Sequence, residues 1–225
     1  MTGLRRRACL GAGTSAGVAA VMTGLRWAGV PAGLAAGMAF VSRPAHAGAQ
    51  AEEPLADAVR TALSAALASA APPRPQCDST DARVVYLRWL GVMSERLKRR
   101  KSEHSVRVEF LETLWYESKR AGLEPELVLG LIQVESGFRK YAISVAGARG
   151  YMQVMPFWAR LIGDGDPARL FHMQTNLRFG CVILRHYLDL ERGDLFLALG
   201  RYNGSRGRPE YPNAVFAARR QWLTT

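Results

Sequence analysis

The chain has 225 residues, of which 48% are hydrophobic and 22% are charged, a composition typical of globular proteins. This composition excludes collagen, low-complexity disorder and a protein with several membrane spans, and it predicts one folded domain. The formal net charge is +11. Without the five arginines of residues 1–47 it is +6 (25 basic less 19 acidic residues), and this moderate basic excess suits an anionic polymer as partner, whether nucleic acid, a membrane surface or a cell-wall glycan.

The first 47 residues have the character of an export signal. They contain five arginines and no acidic residue, and they end in the triplet Ala45-His46-Ala47 after two apolar stretches. Such a triplet is typical of a signal-peptidase site, so residues 1–47 are predicted to be a signal peptide for export to the periplasm. Residues 1–5 and 22–26 both read Met-Thr-Gly-Leu-Arg, and a true start at Met22 would give a signal of ordinary length.

A retained membrane anchor is the competing interpretation of this segment. The uncharged run 8–25 is about as long as the ~17–25 residues that span a bilayer. However, Ala, Gly and Thr dominate this run, and one span made of both apolar stretches would place Arg26 near the bilayer centre at a cost of ~2.5–3.5 kcal/mol. We therefore expect a cleaved signal, with a membrane tether as the alternative.

Two cysteines, Cys77 and Cys181, remain after the predicted signal. In an oxidising compartment they suggest one disulfide. Cys181 also shares an apolar stripe with Leu177 and Leu184, where a buried free thiol is equally reasonable. A zinc site built from Cys181 and His186 lacks two further ligands at suitable spacing, so no metal is predicted.

Residues 48–80 are predicted to be a tether. They begin with small and polar residues, contain an Ala-rich stretch at 55–70 that can form a helix, and are interrupted by the proline-rich segment 71–75. From residue 81 onward apolar residues recur at helical spacing, and no run alternates with a period of two. We therefore predict a mainly α domain over residues 81–225, with little or no sheet.

The helices in this domain are predicted from their apolar faces and from the prolines and glycines that mark helix ends. In chain order they lie around residues 86–97 and 110–115, from Pro125 to a stop at Gly137, at about 157–162, and near 174–190 and 194–202. A glycine-rich loop up to Pro156 separates the third helix from the fourth.

Glu135 is the first candidate for chemistry, because it closes a predicted helix whose preceding residues are nearly all apolar. Apolar surroundings and the negative end of the helix dipole both raise the pKa of a carboxyl group. A carboxyl that stays protonated near neutral pH can act as a general acid. Taken alone, Glu135 also fits an ordinary solvent-facing residue at a helix end.

A series of short motifs surrounds Glu135. In chain order they are Glu135-Ser136-Gly137-Phe138, then Ser144, then residues 147–156 reading Gly-Ala-Arg-Gly-Tyr-Met-Gln-Val-Met-Pro, then Asn176-Leu177-Arg178-Phe179-Gly180, and Tyr202-Asn203-Gly204. In order and spacing this series resembles the soluble lytic transglycosylase (SLT) domain, a lysozyme-like family, over roughly residues 84–217.

The resemblance implies a lysozyme-like helical domain with a cleft that binds peptidoglycan glycan strands. Members of this family cleave the β-1,4 bond between N-acetylmuramic acid (MurNAc) and N-acetylglucosamine (GlcNAc). Glu135 falls on the catalytic position. By analogy it protonates the glycosidic oxygen, and the resulting carboxylate then takes the proton from the muramic C6 hydroxyl, which closes a 1,6-anhydro ring without consuming water.

The same resemblance implies further site residues and partners. Positions that match substrate-binding residues of the family are Ser144, Gln153, Met155, Tyr202, Asn203 and, more weakly, Met152, which at its spacing more often points into the core. The hydroxyl of Tyr202 is expected to reach both Glu135 and the substrate. The expected protein is a monomer that needs no cofactor and no metal. It is not expected to bind nucleic acid, since no reading module is visible.

Two other functions stay open at this point. Most glycosidases need two carboxylates that flank the bond, and Asp164 or Asp166 could hold a water for a lysozyme-like hydrolysis. A weakly active wall-binding accessory of a secretion apparatus is the second alternative.

The chain also departs from the family where Arg139-Lys140-Tyr141 replaces the usual Asn-Pro. There, Arg139 together with Arg201 would favour the peptide carboxylates of the wall.

Overall fold

The computed structural model describes Gln50, Glu52, residues 54–68, Cys77 and residues 79–224. The signal peptide, the alternative start at Met22 and the membrane anchor considered for residues 1–47 lie outside the described residues. Within the described ranges, no helix is both long enough and apolar enough to cross a membrane.

The described residues form eight α-helices and one 3₁₀ helix. The α-helices are α1 (Asp57–Ala68), α2 (Thr80–Leu97), α3 (His104–Arg120), α4 (Pro125–Glu135), α5 (Pro156–Ile162), α6 (Met173–Leu190), α7 (Leu195–Asn203) and α8 (Glu210–Arg220). The 3₁₀ helix, Pro167–Phe171, joins α5 to α6. Over this part of the chain there is no strand, and extended backbone pairs only in the isolated bridges Ile143–Arg149 and Arg149–Val154. The predicted mainly α fold is confirmed.

Helix α4 lies in the centre of the core. It begins at Pro125, whose fixed φ suits a first helical turn, and residues Leu127 to Ile132 are all buried. A helix that is apolar all round must be enclosed by other elements, and α4 packs against α3 and α8. At Gly130 an added Cβ would lie 2.7 Å from the backbone nitrogen of Arg219, so α4 and α8 cross in backbone contact.

Helix α8 was not predicted from the sequence. Its buried residues Tyr211, Val215 and Ala218 follow helical spacing, but Pro212 and the basic residues around them obscure the pattern. Pro212 lies in the first turn, where the missing N–H costs no hydrogen bond. The helices predicted from the sequence therefore did not include α8.

Helix α1 occupies the Ala-rich stretch of the segment that we interpreted as a tether. It contacts α5 and α6, and Leu63 and Leu67 are part of the hydrophobic core. Two arginines bind its C-terminal carbonyl groups. Arg120 Nη2 donates to the carbonyl of Ala66 at 2.6 Å, and Arg178 Nη1 donates to that of Leu67 at 3.2 Å. Cations are favoured at this end of a helix, so α1 is docked on the domain.

A buried ion pair holds α3 to α6 beneath this docking site. Arg178 Nη2 lies 2.9 Å from Glu117 Oε1, and the side chains are 9% and 1% exposed. Arg120 adds a bond to Glu117 Oε2 at 3.2 Å. Removing one member of such a pair leaves an uncompensated buried charge, which is strongly destabilising.

Both described cysteines are free thiols. Cys77 is half-buried and Cys181 is buried in α6. Burial raises the pKa of the Cys181 thiol well above its usual range, which makes this thiol unreactive. Of the two alternatives, the structure has the buried free thiol and not the disulfide.

Candidate functional site

The carboxyl group of Glu135 is enclosed at the C-terminal end of α4. The residue is only 6% exposed, and burial raises the pKa of Glu135 to about 8. The Tyr211 hydroxyl donates to Oε1 at 2.5 Å, and this bond acts in the opposite direction by lowering the pKa. The second oxygen, Oε2, is buried and has no hydrogen-bond partner in the part of the chain that is described.

The end of α4 is tied to the loop that follows it. Ser136 Oγ donates to the carbonyl of Tyr151 at 2.7 Å, which joins the Glu-Ser motif to the Gly-Tyr-Met-Gln motif. Gly137 has a φ of 57°, and its N–H donates to the carbonyl of Ile132 at 3.1 Å. A left-handed glycine after the last helical residue is the common way to end a helix. The chain therefore turns sharply just beyond Glu135.

Ser144 and Gln153 hold the loop between α4 and α5. Ser144 Oγ accepts a hydrogen bond from the N–H of Ala148 at 3.1 Å. Gln153 Nε2 donates to the carbonyls of Ala142 and Gly150, at 3.1 Å and 2.9 Å. Gln153 itself has a φ of 48°, a conformation that non-glycine residues seldom adopt. In this structure both side chains shape the loop, and their contact with substrate stays a prediction.

The two methionines differ in position. Met152 is fully buried and packs so closely on Gly180 that a Cβ there would overlap its sulfur. Met155 precedes α5 and is only partly buried against the core. Of the pair, Met155 is therefore the more accessible to a sugar, and Met152 occupies the core position that its spacing favoured.

Tyr202 and Asn203 end α7 next to this loop. The Tyr202 hydroxyl donates to the carbonyl of Met152 at 2.8 Å. Its pKa is raised well above the usual value, first by burial and then by the charge of Glu135. Asn203 Nδ2 donates to Ser205 Oγ at 3.0 Å, whereas its Oδ1 is buried and has no partner among the described residues.

Tyr211 is the site residue that the sequence analysis missed. We expected the Tyr202 hydroxyl to reach Glu135, but the hydroxyl bonded to Glu135 belongs to Tyr211, 76 residues further along the chain. The physical reason is the close crossing of α4 and α8 at Gly130, which brings α8 to the end of α4. The apolar spacing of Tyr211 and Val215 was the one available signal.

Of the two arginines expected to favour wall carboxylates, Arg201 is already paired within the protein. Arg201 and Arg206 both donate to Glu191. These hydrogen bonds, with that of Arg206 the larger, lower the pKa of Glu191 to about 2. Arg139 is exposed, and its Nε donates to the carbonyl of Ser136 at 2.9 Å. Arg139 is thus the better placed of the two for a ligand.

Asp164 and Asp166, the candidates for holding a hydrolytic water, have structural roles. Asp164 accepts from the N–H of Asp166 at 3.2 Å and is paired with Arg169, and the first of these bonds is the main reason why its pKa is lowered. Asp166 accepts from the N–H of Ala168 at 2.9 Å and caps the 3₁₀ helix. Both line a cavity of about 470 Å³ between α1, α5 and α6, and Glu135 does not line it.

The described residues contain no group of three or more His, Cys, Asp or Glu side chains that could hold a metal ion.

Residues 113–221 match the model of the family described as the transglycosylase SLT domain. These residues belong to the SLT family. The match extends from α3 to just beyond α8, so it includes Glu135, Tyr202 and also Tyr211. The family predicted from the motif series is confirmed for this part of the chain.

Several curated proteins are similar to the same region. Membrane-bound lytic murein transglycosylase C of Actinobacillus pleuropneumoniae is 39% identical over 84 residues, which are 34% of this chain and 23% of that protein. The protein of the same name from Mannheimia succiniciproducens is 45% identical over 80 residues, 32% and 22% of the two chains. The transglycosylase of Enterobacteria phage PRD1 is 32% identical over 104 residues, which are 46% of this chain and 38% of that protein. The chain thus spans well under half the length of these relatives.

One solved structure similar to this chain is that of an inactive mutant of lytic transglycosylase Slt from Pseudomonas aeruginosa. The sequence identity is 22% and the TM-score is 0.40, with 62% of this chain and 27% of that chain covered.

Proposed function

We propose that the protein is a peptidoglycan lytic transglycosylase. It cleaves the β-1,4 bond between MurNAc and GlcNAc and leaves 1,6-anhydroMurNAc ends, with Glu135 as both acid and base. The observation that carries this proposal is a single buried carboxyl group whose pKa is about 8 and whose Oε2 has no partner among the described side chains.

The environment of Glu135 suits the first step of this reaction. With a pKa of about 8, the carboxyl is mostly protonated at neutral pH and can donate its proton to the glycosidic oxygen. The unpartnered Oε2 is the atom available for this transfer. Once the proton has left, the bond from Tyr211 stabilises the carboxylate. That carboxylate then accepts the proton of the muramic C6 hydroxyl, whose oxygen closes the anhydro ring.

The same environment supports ring closure over hydrolysis. A second carboxylate within ~5–10 Å of the first, as the usual glycosidases need, would raise the pKa of Glu135 through its charge. Burial and the Tyr211 bond are the causes of the pKa shift of Glu135. Asp164 and Asp166 are engaged in turns around the 3₁₀ helix. In the proposed reaction the muramic C6 hydroxyl takes the place of the water.

The remaining assignments belong to the same proposal. The proposed substrate contacts are Ser144, Gln153, Met155, Tyr202, Asn203 and, least directly, Met152. Residues 1–47 direct export to the periplasm, residues 48–80 link this segment to the domain and dock through α1, and residues 81–225 carry the catalytic function. Relatives named membrane-bound agree with export. The enzyme acts as a monomer on glycan strands.

The test is incubation of the purified protein with sacculi, followed by mass spectrometry of the soluble muropeptides. The unmodified protein should release products with anhydro-muramic ends, and Glu135→Gln should release none. Glu210→Gln, an exposed glutamate beside Tyr211, is the matched control and should keep the activity. Products heavier by one water would instead indicate a hydrolase. Binding without products would indicate a wall-binding accessory.

A further inference from the structure

The loop between α4 and α5 exposes three large apolar side chains close together in the chain. Tyr141 is 70% exposed, Ile143 is 65% exposed and Val145 is fully exposed. Scattered apolar residues are ordinary on a protein surface, but a group of them in one place marks a site of interaction. Tyr141, Ile143 and Val145 form an apolar tip on this loop.

The backbone turns these side chains outward together. Ile143 forms an antiparallel bridge with Arg149, and alternate residues of such extended backbone point to the same face. The intervening residues Ala142 and Ser144 are only partly exposed, and both accept hydrogen bonds from within the loop. The three side chains of the apolar tip therefore share the solvent-facing side of the loop.

Two cations flank the apolar tip. Lys140 Nζ lies 5.3 Å from the centre of the Tyr141 ring, and Arg149 Cζ lies 5.5 Å from the centre of the Phe171 ring. The Phe171 ring is in turn 6.0 Å from that of Tyr141. Neither cation forms an ion pair with a carboxylate of the described residues. Residues 136–163 contain four basic residues and no acidic one, so this stretch of chain does not neutralise its own positive charge.

An anionic lipid surface fits this combination of side chains. Lysine and arginine are attracted to negatively charged headgroups, and tyrosine favours the boundary between headgroups and acyl chains. Branched aliphatic side chains such as Ile143 and Val145 offer a polar glycan strand neither a hydrogen bond nor a flat ring. At the acyl boundary of a membrane, by contrast, they leave water, which is favourable.

We propose that the apolar tip and its two flanking cations form a contact site for a membrane surface rich in anionic lipid. Ile143 and Val145 reach the acyl boundary, while the loop backbone stays among the headgroups, because its polar groups need partners. Lys140 and Arg149 contact the lipid phosphates. The loop begins just beyond the end of α4, so this contact holds the candidate site around Glu135 near the membrane surface.

Sedimentation with lipid vesicles tests this site. The chain used begins at Gly48, which removes the apolar stretches of residues 1–47 as a second source of lipid binding. The vesicles contain phosphatidylglycerol and phosphatidylcholine in equal parts, or phosphatidylcholine alone. One variant combines Ile143→Ser with Val145→Ser, and another is Lys140→Gln. Melting temperatures of all variants are recorded.

The matched controls lie near the start of α2. One combines Val84→Ser with Val85→Ser, at side chains that are 50% and 62% exposed, and the other is Arg83→Gln, at an exposed cation. Arg100, just beyond the end of α2, lies 5.4 Å from the ring of Phe138 at the beginning of the loop. The controls are roughly 20 Å along the helix from that contact, so they remove the same kinds of group at a distant place.

The unmodified chain should bind the anionic vesicles at least tenfold more tightly than the neutral ones. The variant with serine at positions 143 and 145 should bind them at least tenfold more weakly, because the groups that leave water are gone. Lys140→Gln should weaken binding about fivefold, the effect of one cation at an anionic surface. Both controls should bind like the unmodified chain.

Equal binding to the two kinds of vesicle, or no binding to either, would overturn the membrane contact. So would controls that weaken binding as much as the tip variants do. A tip variant that keeps vesicle binding and loses binding to sacculi would overturn it as well, since the tip would then serve the glycan strand. The absence of anhydro-muramic ends from the unmodified chain would overturn only the proposed function, because vesicle binding requires no catalysis.

Discussion

At the scale of single residues, burial and the hydroxyl of Tyr211 act on the Glu135 carboxyl in opposite directions. Burial favours the protonated form, and a hydrogen bond from Tyr211 favours the carboxylate. The pKa of about 8 is the balance of the two. It keeps the acid protonated at neutral pH without making the carboxylate too unstable to serve as a base.

Removing this hydroxyl should change the pH dependence of the reaction. In Tyr211→Phe the carboxylate loses a donor, so the pKa of Glu135 should rise above its present value of about 8. The alkaline limb of the kcat profile should then move to higher pH, and the maximum rate should fall by ~10–100-fold. A pH profile of muropeptide release measures both effects. An alkaline limb that moves to lower pH would contradict the assignment.

The buried carboxyl should also cost stability as the pH rises. Its pKa is about 8 in the folded protein against 4.5 for the free group, so between these values the folded state binds more protons than the unfolded state. Stability conferred by the protonated form is therefore lost progressively across that range. Glu135→Gln should be more stable than the unmodified protein by about 3 kcal/mol at pH 7, and equally stable near pH 4. Urea unfolding at both pH values measures the difference.

At the scale of elements, the close crossing of α4 and α8 brings Tyr211 to Glu135. Ordinarily Gly→Ala inside a helix stabilises it by ~0.5–1 kcal/mol. At Gly130 the added methyl group would meet the backbone of Arg219 at 2.7 Å. Backbone atoms cannot yield as a flexible side chain can, so α8 must shift.

Gly130→Ala should therefore destabilise the protein by ~1–3 kcal/mol and lower the rate, since Tyr211 moves with α8. Gly91→Ala in α2 is the matched control, because nothing lies within 4 Å of a Cβ at that position. It should leave the rate unchanged and raise stability slightly. Thermal unfolding and muropeptide release on both variants make the comparison. Equal effects at the two glycines would show that the helix crossing is not tight.

At the scale of the whole molecule, α1 extends the domain beyond the region that matches the SLT family. Leu63 and Leu67 add to its core. The carbonyls at the end of α1 accept hydrogen bonds from Arg120 and Arg178. Each buried leucine contributes roughly 1.5–3 kcal/mol. The linking segment is thus part of the fold as well as a connection.

A chain that begins at Asp81 should accordingly be less stable than one that begins at Gly48. We expect a melting temperature lower by more than ~5 °C. Calorimetry on the two chains measures this difference. Equal melting temperatures would indicate that residues 48–80 do not stabilise the domain and act only as a tether.

Much of the local structure was predictable because its causes are local. In the sequence Pro125 and Gly137 mark the beginning and the end of α4, as they do in the structure. The apolar residues between them require burial. The raised pKa of Glu135 follows from that same placement. By contrast, α8 was missed because Pro212 interrupts its apolar spacing, and the partner of Glu135 was missed with it.

The sequence by itself determined the helical class of the domain, the SLT family of residues 113–221 and the acidic residue at the end of α4. These properties depend on the spacing of apolar residues, on the prolines and glycines at helix ends, and on the order of motifs along the chain. Only the tertiary structure decided that Tyr211 bonds Glu135 and that Trp158 bonds Gln50. Such contacts join residues 76 and 108 positions apart, and they exist only once the packing of the helices has selected which side chains meet.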